Sequence, residues 1–120
     1  MPAHSQLKKI ENFEYFKWVG KYTFEEKISD KEIFYEMELF EDGYGTFEGK
    51  GYHTKFGINI DWGIDGHVAK INYENTYKGY YSDKRGDGPL ATMSIKDGQY
   101  YLNWSGGNSR SGVYKLKKEN

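Results

Sequence analysis

The chain has no cysteine, two prolines, three histidines and no apolar run of the length needed for a membrane-spanning helix. Without cysteine there is no disulfide, no thiol nucleophile and no thiolate metal site. His4, His53 and His67 are far apart in sequence, and none belongs to a helix-borne metal motif. Charge of one sign is also lacking: 17 basic against 18 acidic residues leave a net charge of −1, with no general pull toward nucleic acid or an anionic membrane. The start, Met1-Pro2-Ala3-His4-Ser5, has no basic segment followed by an apolar stretch, so the chain as given reads as lacking a signal peptide. The expected location is the cytoplasm as written, or the periplasm or exterior if a leader was removed.

What is abundant is tyrosine and glycine: 12 Tyr and 15 Gly in 120 residues. Rings supply core area and favour strands, and glycine favours turns. The length fits one domain. The expected organisation is a leader over residues 1–6, a short helix over 7–16 and a barrel over 18–117. Leu7, Ile10, Phe13 and Phe16 recur at three-residue spacing with Lys8, Lys9, Glu11 and Glu14 opposite, which suits a helical plug over one barrel end.

After this segment the period changes to two. Trp18, Tyr22, Phe24 and Ile28 share one face, and Lys21, Thr23, Glu25 and Lys27 the other. Ile33, Tyr35, Met37 and Leu39 alternate with Glu32, Phe34, Glu36 and Glu38. A third strand is expected over Tyr44–Thr54, bent by its glycines. Ile58, Ile60, Trp62 and Ile64, then Ala69, Ile71 and Tyr73, continue the inward face. Tyr77, Tyr80 and Tyr81 mark a further strand. Ala91, Met93 and Ile95 are answered by Tyr100, Leu102 and Trp104, and Tyr114 and Leu116 close the series. Turns are expected at Ser29-Asp30, Asp42-Gly43, Asp65-Gly66 and Asp97-Gly98. Consecutive antiparallel strands with one apolar face each, and no intervening helix, predict an all-β, up-and-down antiparallel barrel of about eight strands.

Trp18-Val19-Gly20-Lys21-Tyr22, the Asp-Gly turns, Gly51-Tyr52-His53-Thr54 and the hairpin from Pro89-Leu90 to Trp104 carry a family resemblance. Over residues 18–117 the chain resembles small uncharacterised bacterial domains of the lipocalin-like, calycin type. The resemblance implies a meandering barrel with an aromatic closing its base. It implies no activity and no site residues.

Chemistry-bearing residues are few. His53 has no paired nucleophile, so no catalytic residue is expected and the chain reads as a non-enzyme. Asp61-Trp62-Gly63-Ile64-Asp65-Gly66 has the outline of a calcium loop. Gly63 lacks the ligand oxygen, however, and Asn72 stands where a bidentate Glu is needed, so no metal is expected. Turn chemistry accounts for Arg85-Gly86-Asp87, and Asn103-Trp104-Ser105 falls in a strand. Glu25, Glu26, Glu32, Glu36 and Glu38 would repel phosphate from the first hairpin, against a nucleic-acid role. No cofactor is implied.

The tyrosines on inward phases stand out, because a buried hydroxyl without a partner costs about 1–3 kcal/mol. Several should therefore meet water, one another or a ligand. The first functional expectation is a noncatalytic binding barrel. It would hold a small, partly apolar or amphipathic ligand at its open end, among Tyr22, Tyr35, Trp62, Tyr73, Tyr100 and Trp104. The alternative is a filled, rigid barrel that contacts a protein partner through loops 82–88 and 105–111. Ser111-Gly112-Val113-Tyr114 there resembles a loop of bacterial lysozyme inhibitors. A cavity lined by Tyr hydroxyls favours the first, and a filled interior favours the second.

Overall fold

A computed structural model describes residues 16–81 and 88–119. Eight strands follow in order: β1 (Gly20–Ile28), β2 (Lys31–Leu39), β3 (Tyr44–Gly51), β4 (Thr54–Asp65), β5 (Val68–Gly79), β6 (Ala91–Lys96), β7 (Gln99–Trp104) and β8 (Val113–Glu119). Each pairs antiparallel with the next, and β8 returns to β1, so the sheet closes as an up-and-down barrel consistent with the lipocalin-like fold class. Closure removes both sheet edges. Among the described residues no helix is long and apolar enough to cross a membrane. The expected helix lies outside the described residues except for Phe16, as does the loop 82–88 except for Gly88.

Period-two alternation produces the core. Tyr22 and Phe24 of β1, Ile33, Tyr35, Met37 and Leu39 of β2, Phe47 of β3, Phe56, Ile58, Ile60 and Trp62 of β4 and Met93, Leu102, Trp104, Tyr114 and Leu116 beyond them are all buried. Of the inward-face positions expected from the pattern, Ile28, Ile64, Ile95 and Tyr100 are only partly buried and Tyr73 is exposed. Gly49 occupies an inward position of β3 because a Cβ there would stand 2.5 Å from the Phe56 ring. The missing side chain is what lets the large rings of Tyr35 and Phe56 enter the lumen together.

Several boundaries differ from the pattern. The third strand ends at Gly51, not Thr54, because Gly51 pairs with Thr54 across a two-residue turn of Tyr52 and His53. His53 sits in that turn at φ 51°, not in a strand. Tyr77 belongs to β5, which runs unbroken to Gly79. The Asp65-Gly66 turn is displaced by one residue: Asp65 pairs with Val68, and Gly66-His67 form the loop. Ser29-Asp30 and Asp97-Gly98 are two-residue turns as expected, and Asp97 and Gly98 both have the positive φ that such turns need. Asp42-Gly43 closes a longer loop that begins at Phe40.

Candidate functional site

The up-and-down order puts the turns at Ser29-Asp30 and Tyr52-His53 at one end of the barrel, together with the connection from β7 to β8. The connections from β2 to β3, β4 to β5 and β6 to β7 lie at the other. Five of the six aromatic residues expected to line a ligand site are divided between these ends.

At the second end Tyr22 donates its hydroxyl hydrogen bond to the Trp18 carbonyl, and Tyr100 donates to the Lys17 carbonyl. The Lys118 ammonium lies over both rings, 5.8 Å from the Tyr22 centroid and 5.1 Å from that of Tyr100. Trp62 donates its indole N–H to the Phe40 carbonyl at 3.0 Å. Each of these polar tips is taken up by a backbone carbonyl, so none is left over for a ligand at this end.

Tyr73 joins neither group. It pairs with the buried Ile60 in step with the Trp62–Ile71 pair and so keeps the inward phase, but among the described residues the pairing of β5 with β6 ends at Ile71, just short of it. Tyr73 is 40% exposed, stacks on Tyr81 at 5.8 Å and shares a hydrogen bond with Thr76.

Tyr35 and Trp104 come together at the first end. Below them the lumen is filled by rings in contact: Phe24 stacks on Tyr35 at 4.6 Å, and Phe47 meets Trp104 at 5.0 Å and Phe56 at 5.3 Å. Above them lies a mouth of about 420 Å³ with Phe56, Tyr81 and Trp104 in its wall and His53 and Lys55 at its rim. Trp104 donates its indole N–H to the Tyr81 hydroxyl at 3.1 Å.

The centre of this end is a carboxylate. Glu26, on the inward phase of β1, is buried. Its Oε1 accepts from the Tyr35 hydroxyl at 2.7 Å and from Asn108 Nδ2 at 3.2 Å. Its Oε2 accepts from the Tyr114 hydroxyl and the Asn108 backbone N–H, each at 2.8 Å. The Tyr114 oxygen in turn accepts from the Ser109 N–H at 3.1 Å. Four donors match the capacity of a carboxylate, so Glu26 is fully occupied within the fold. Burial pushes the carboxyl up, but the hydrogen bonds from Tyr35, Tyr114 and Asn108 outweigh it and hold Glu26 below its ordinary value. Tyr114 is pushed up to about 12, first by burial and then by its bond to Glu26. Burial and the same carboxylate raise Tyr35 further.

This network fastens the connection between β7 and β8 across the mouth. Gly106 and Gly107 make the approach possible: a Cβ on Gly106 would lie 2.6 Å from the Trp104 ring, and one on Gly107 2.0 Å from the Tyr114 hydroxyl. Sequence reasoning missed Glu26. The signal was present, since Tyr22, Phe24, Glu26 and Ile28 are alternate residues and a carboxylate in an inward row demands partners.

Among the described residues no cluster of three His, Asp or Glu is placed to hold a metal ion. No protein-family model matches the chain, and neither a curated protein nor a solved structure does.

Proposed function

We propose that the protein is a noncatalytic binding barrel whose small, partly apolar ligand sits on the mouth rather than inside the lumen. The observation that carries this reading is the aromatic wall of Phe56, Tyr81 and Trp104 around a concave mouth of about 420 Å³, above an interior already filled by rings. A volume of this order suits a small organic molecule. Desolvation of ligand and ring faces would supply the driving force, and Tyr hydroxyls and Asn108 the orientation.

The test is a small-molecule screen followed by intrinsic tryptophan fluorescence. Trp104 is the indole at this end, whereas Trp62 is held at the other. Tyr80, which lines the mouth and is 74% exposed, can be removed without disturbing the core. Tyr80→Ala is expected to weaken binding of any hit, and Tyr22→Phe, at the far end, to leave it unchanged. Hits that bind Tyr80→Ala as tightly as the parent protein overturn the mouth site.

A second reading is a protein-contact barrel, in the manner of lysozyme inhibitors, acting through the connection from β7 to β8. It is favoured by the Glu26 network, which holds that segment while Ser109, Arg110 and Ser111 stand exposed. Preorganisation of this kind lowers the ordering cost of association. Loss of partner capture on Arg110→Ala, with ligand hits unaffected, would favour it.

A further inference from the structure

We propose a second, separate site on the outer wall of the barrel: a groove across β2, β3 and β4 that binds a small aromatic molecule carrying an oxyanion, either phosphate or carboxylate. The groove has a volume of about 380 Å³ and is bordered by Phe34, Lys50, Lys55 and Lys78.

The register builds it. Phe34 pairs with Lys50, and Lys50 pairs with Lys55, so the three form one row across neighbouring strands. Inward positions such as Gly49 and Phe56 flank the lysines, which puts this row on the outer face, and all three side chains are exposed. Two ammonium groups directly opposite one another on a sheet repel, with side chains rooted about 5 Å apart.

Four other lysines of the wall, Lys78 at the groove's own border among them, are set against acids. Lys21 meets Glu36 at 3.6 Å, Lys27 meets Glu32 at 3.9 Å, Lys70 meets Asp65 at 2.8 Å and Lys78 meets Glu48 at 3.8 Å. The carboxylates that face the groove, Glu36 and Glu48, are the ones taken up by Lys21 and Lys78, and Glu48 also accepts from the Tyr77 hydroxyl. Neither Lys50 nor Lys55 has an acidic side chain within ion-pair distance among the described residues. What the row lacks is a negative charge between two ammonium groups, and what lies beside it is an exposed phenyl ring. An oxyanion bridging the two ammoniums would convert the repulsion into two charge-assisted hydrogen bonds, with its ring laid along Phe34. Lysine is a rotatable point charge and not a planar fork, so phosphate and carboxylate both fit.

Lys55 also stands at the rim of the mouth, so the experiment must separate the two sites. The 120-residue chain is titrated at low ionic strength with phenyl phosphate, benzoate and inorganic phosphate, followed by amide chemical shifts. Phenyl phosphate and benzoate are expected to move Phe34, Lys50 and Lys55 together, with phenyl phosphate the tighter because it carries more charge. Lys50→Gln and Lys55→Gln should each weaken phenyl phosphate by about tenfold. Phe34→Ala should weaken it while leaving inorganic phosphate unchanged, and Tyr80→Ala in the mouth should alter neither. Lys55→Glu should abolish binding yet raise Tm, since it replaces a repulsive pair with an attractive one. The proposal is overturned if Lys50→Gln binds phenyl phosphate as well as the parent protein does. It is equally overturned if Lys115→Gln, on the distant β8, weakens binding as much, or if inorganic phosphate binds as tightly as phenyl phosphate.

Discussion

Glu26 and Tyr114 stand 88 positions apart in the chain and share a hydrogen bond of 2.8 Å. The bond joins the first strand to the last, at the end of the barrel opposite to the β1–β8 ladder, which covers only Lys21 to Thr23 of β1. Side chains thus hold together a part of the seam that the backbone leaves unpaired among the described residues.

Glu26→Ala removes the acceptor of four hydrogen bonds and strands two tyrosine hydroxyls and both the backbone and side-chain N–H donors of Asn108. The expected loss in chemical denaturation is about 2–4 kcal/mol. Tyr35→Phe, which removes one donor and leaves three, should cost about 1 kcal/mol. A Glu26→Ala midpoint equal to that of the parent protein would show that the network contributes no stability.

The sign of the pH dependence follows from the same group. Glu26 has a lower pKa folded than unfolded, so the unfolded chain takes up its proton first as pH falls. Stability from this carboxylate is complete above the ordinary Glu value of about 4.3 and is lost as pH drops through the folded value below it. Thermal scans between about pH 6 and pH 2.5 should show this loss, and Glu26→Gln should flatten that part of the profile. An acid limb of the same steepness in the variant would assign it to other carboxylates.

Gly107→Ala sets a methyl carbon 2.0 Å from the Tyr114 hydroxyl, so the segment or the ring must move. The expected cost is about 1–3 kcal/mol. The disturbance should be visible as altered amide shifts at Asn108 and Ser109, with the far-end Tyr22 unaffected. Unchanged shifts at Asn108 would mean that the close approach is not made in solution.

Leu102→Ala tests the inward phase of β7. Leu102 is buried opposite Met93 and Tyr114, and truncation should cost about 2–5 kcal/mol. A cost near zero would place that side chain outside the core.

The barrel was legible because its rule is local. Tyr35, Met37 and Leu39 alternate with Glu36 and Glu38, and several pairs of strands are joined by residues whose backbone preferences announce a turn, Ser29-Asp30 and Asp97-Gly98 among them. Where local cues were ambiguous the reading slipped by one to three residues: Tyr52 and His53 carry strand-forming rings, yet Gly51 and Thr54 pair across them. The phase of Tyr73 was readable, since it pairs with Ile60 in step with Ile71 and Ala69, but its exposure was not, because among the described residues β6 pairs with β5 only as far as Ile71. The division of the other five aromatics between the two ends was hidden for another reason. Alternation gives the side of the sheet a residue faces but says nothing about its height along the lumen. Glu26 was within reach of the pattern, and its partners were not. Tyr114 and Asn108 become its neighbours only when the circle of strands closes.

Two junctions in that circle are short. β5 pairs with β6 over Ala69 to Ile71, and β8 with β1 over three residues as well. Between them the staves fall into a five-stranded panel, β1 to β5, and a three-stranded panel, β6 to β8, each laced along most of its length. The wall is therefore two shells hinged along two narrow welts. Amide protons in those welts should exchange with solvent sooner than those of the β3–β4 ladder, because fewer bonds must break together to let water in.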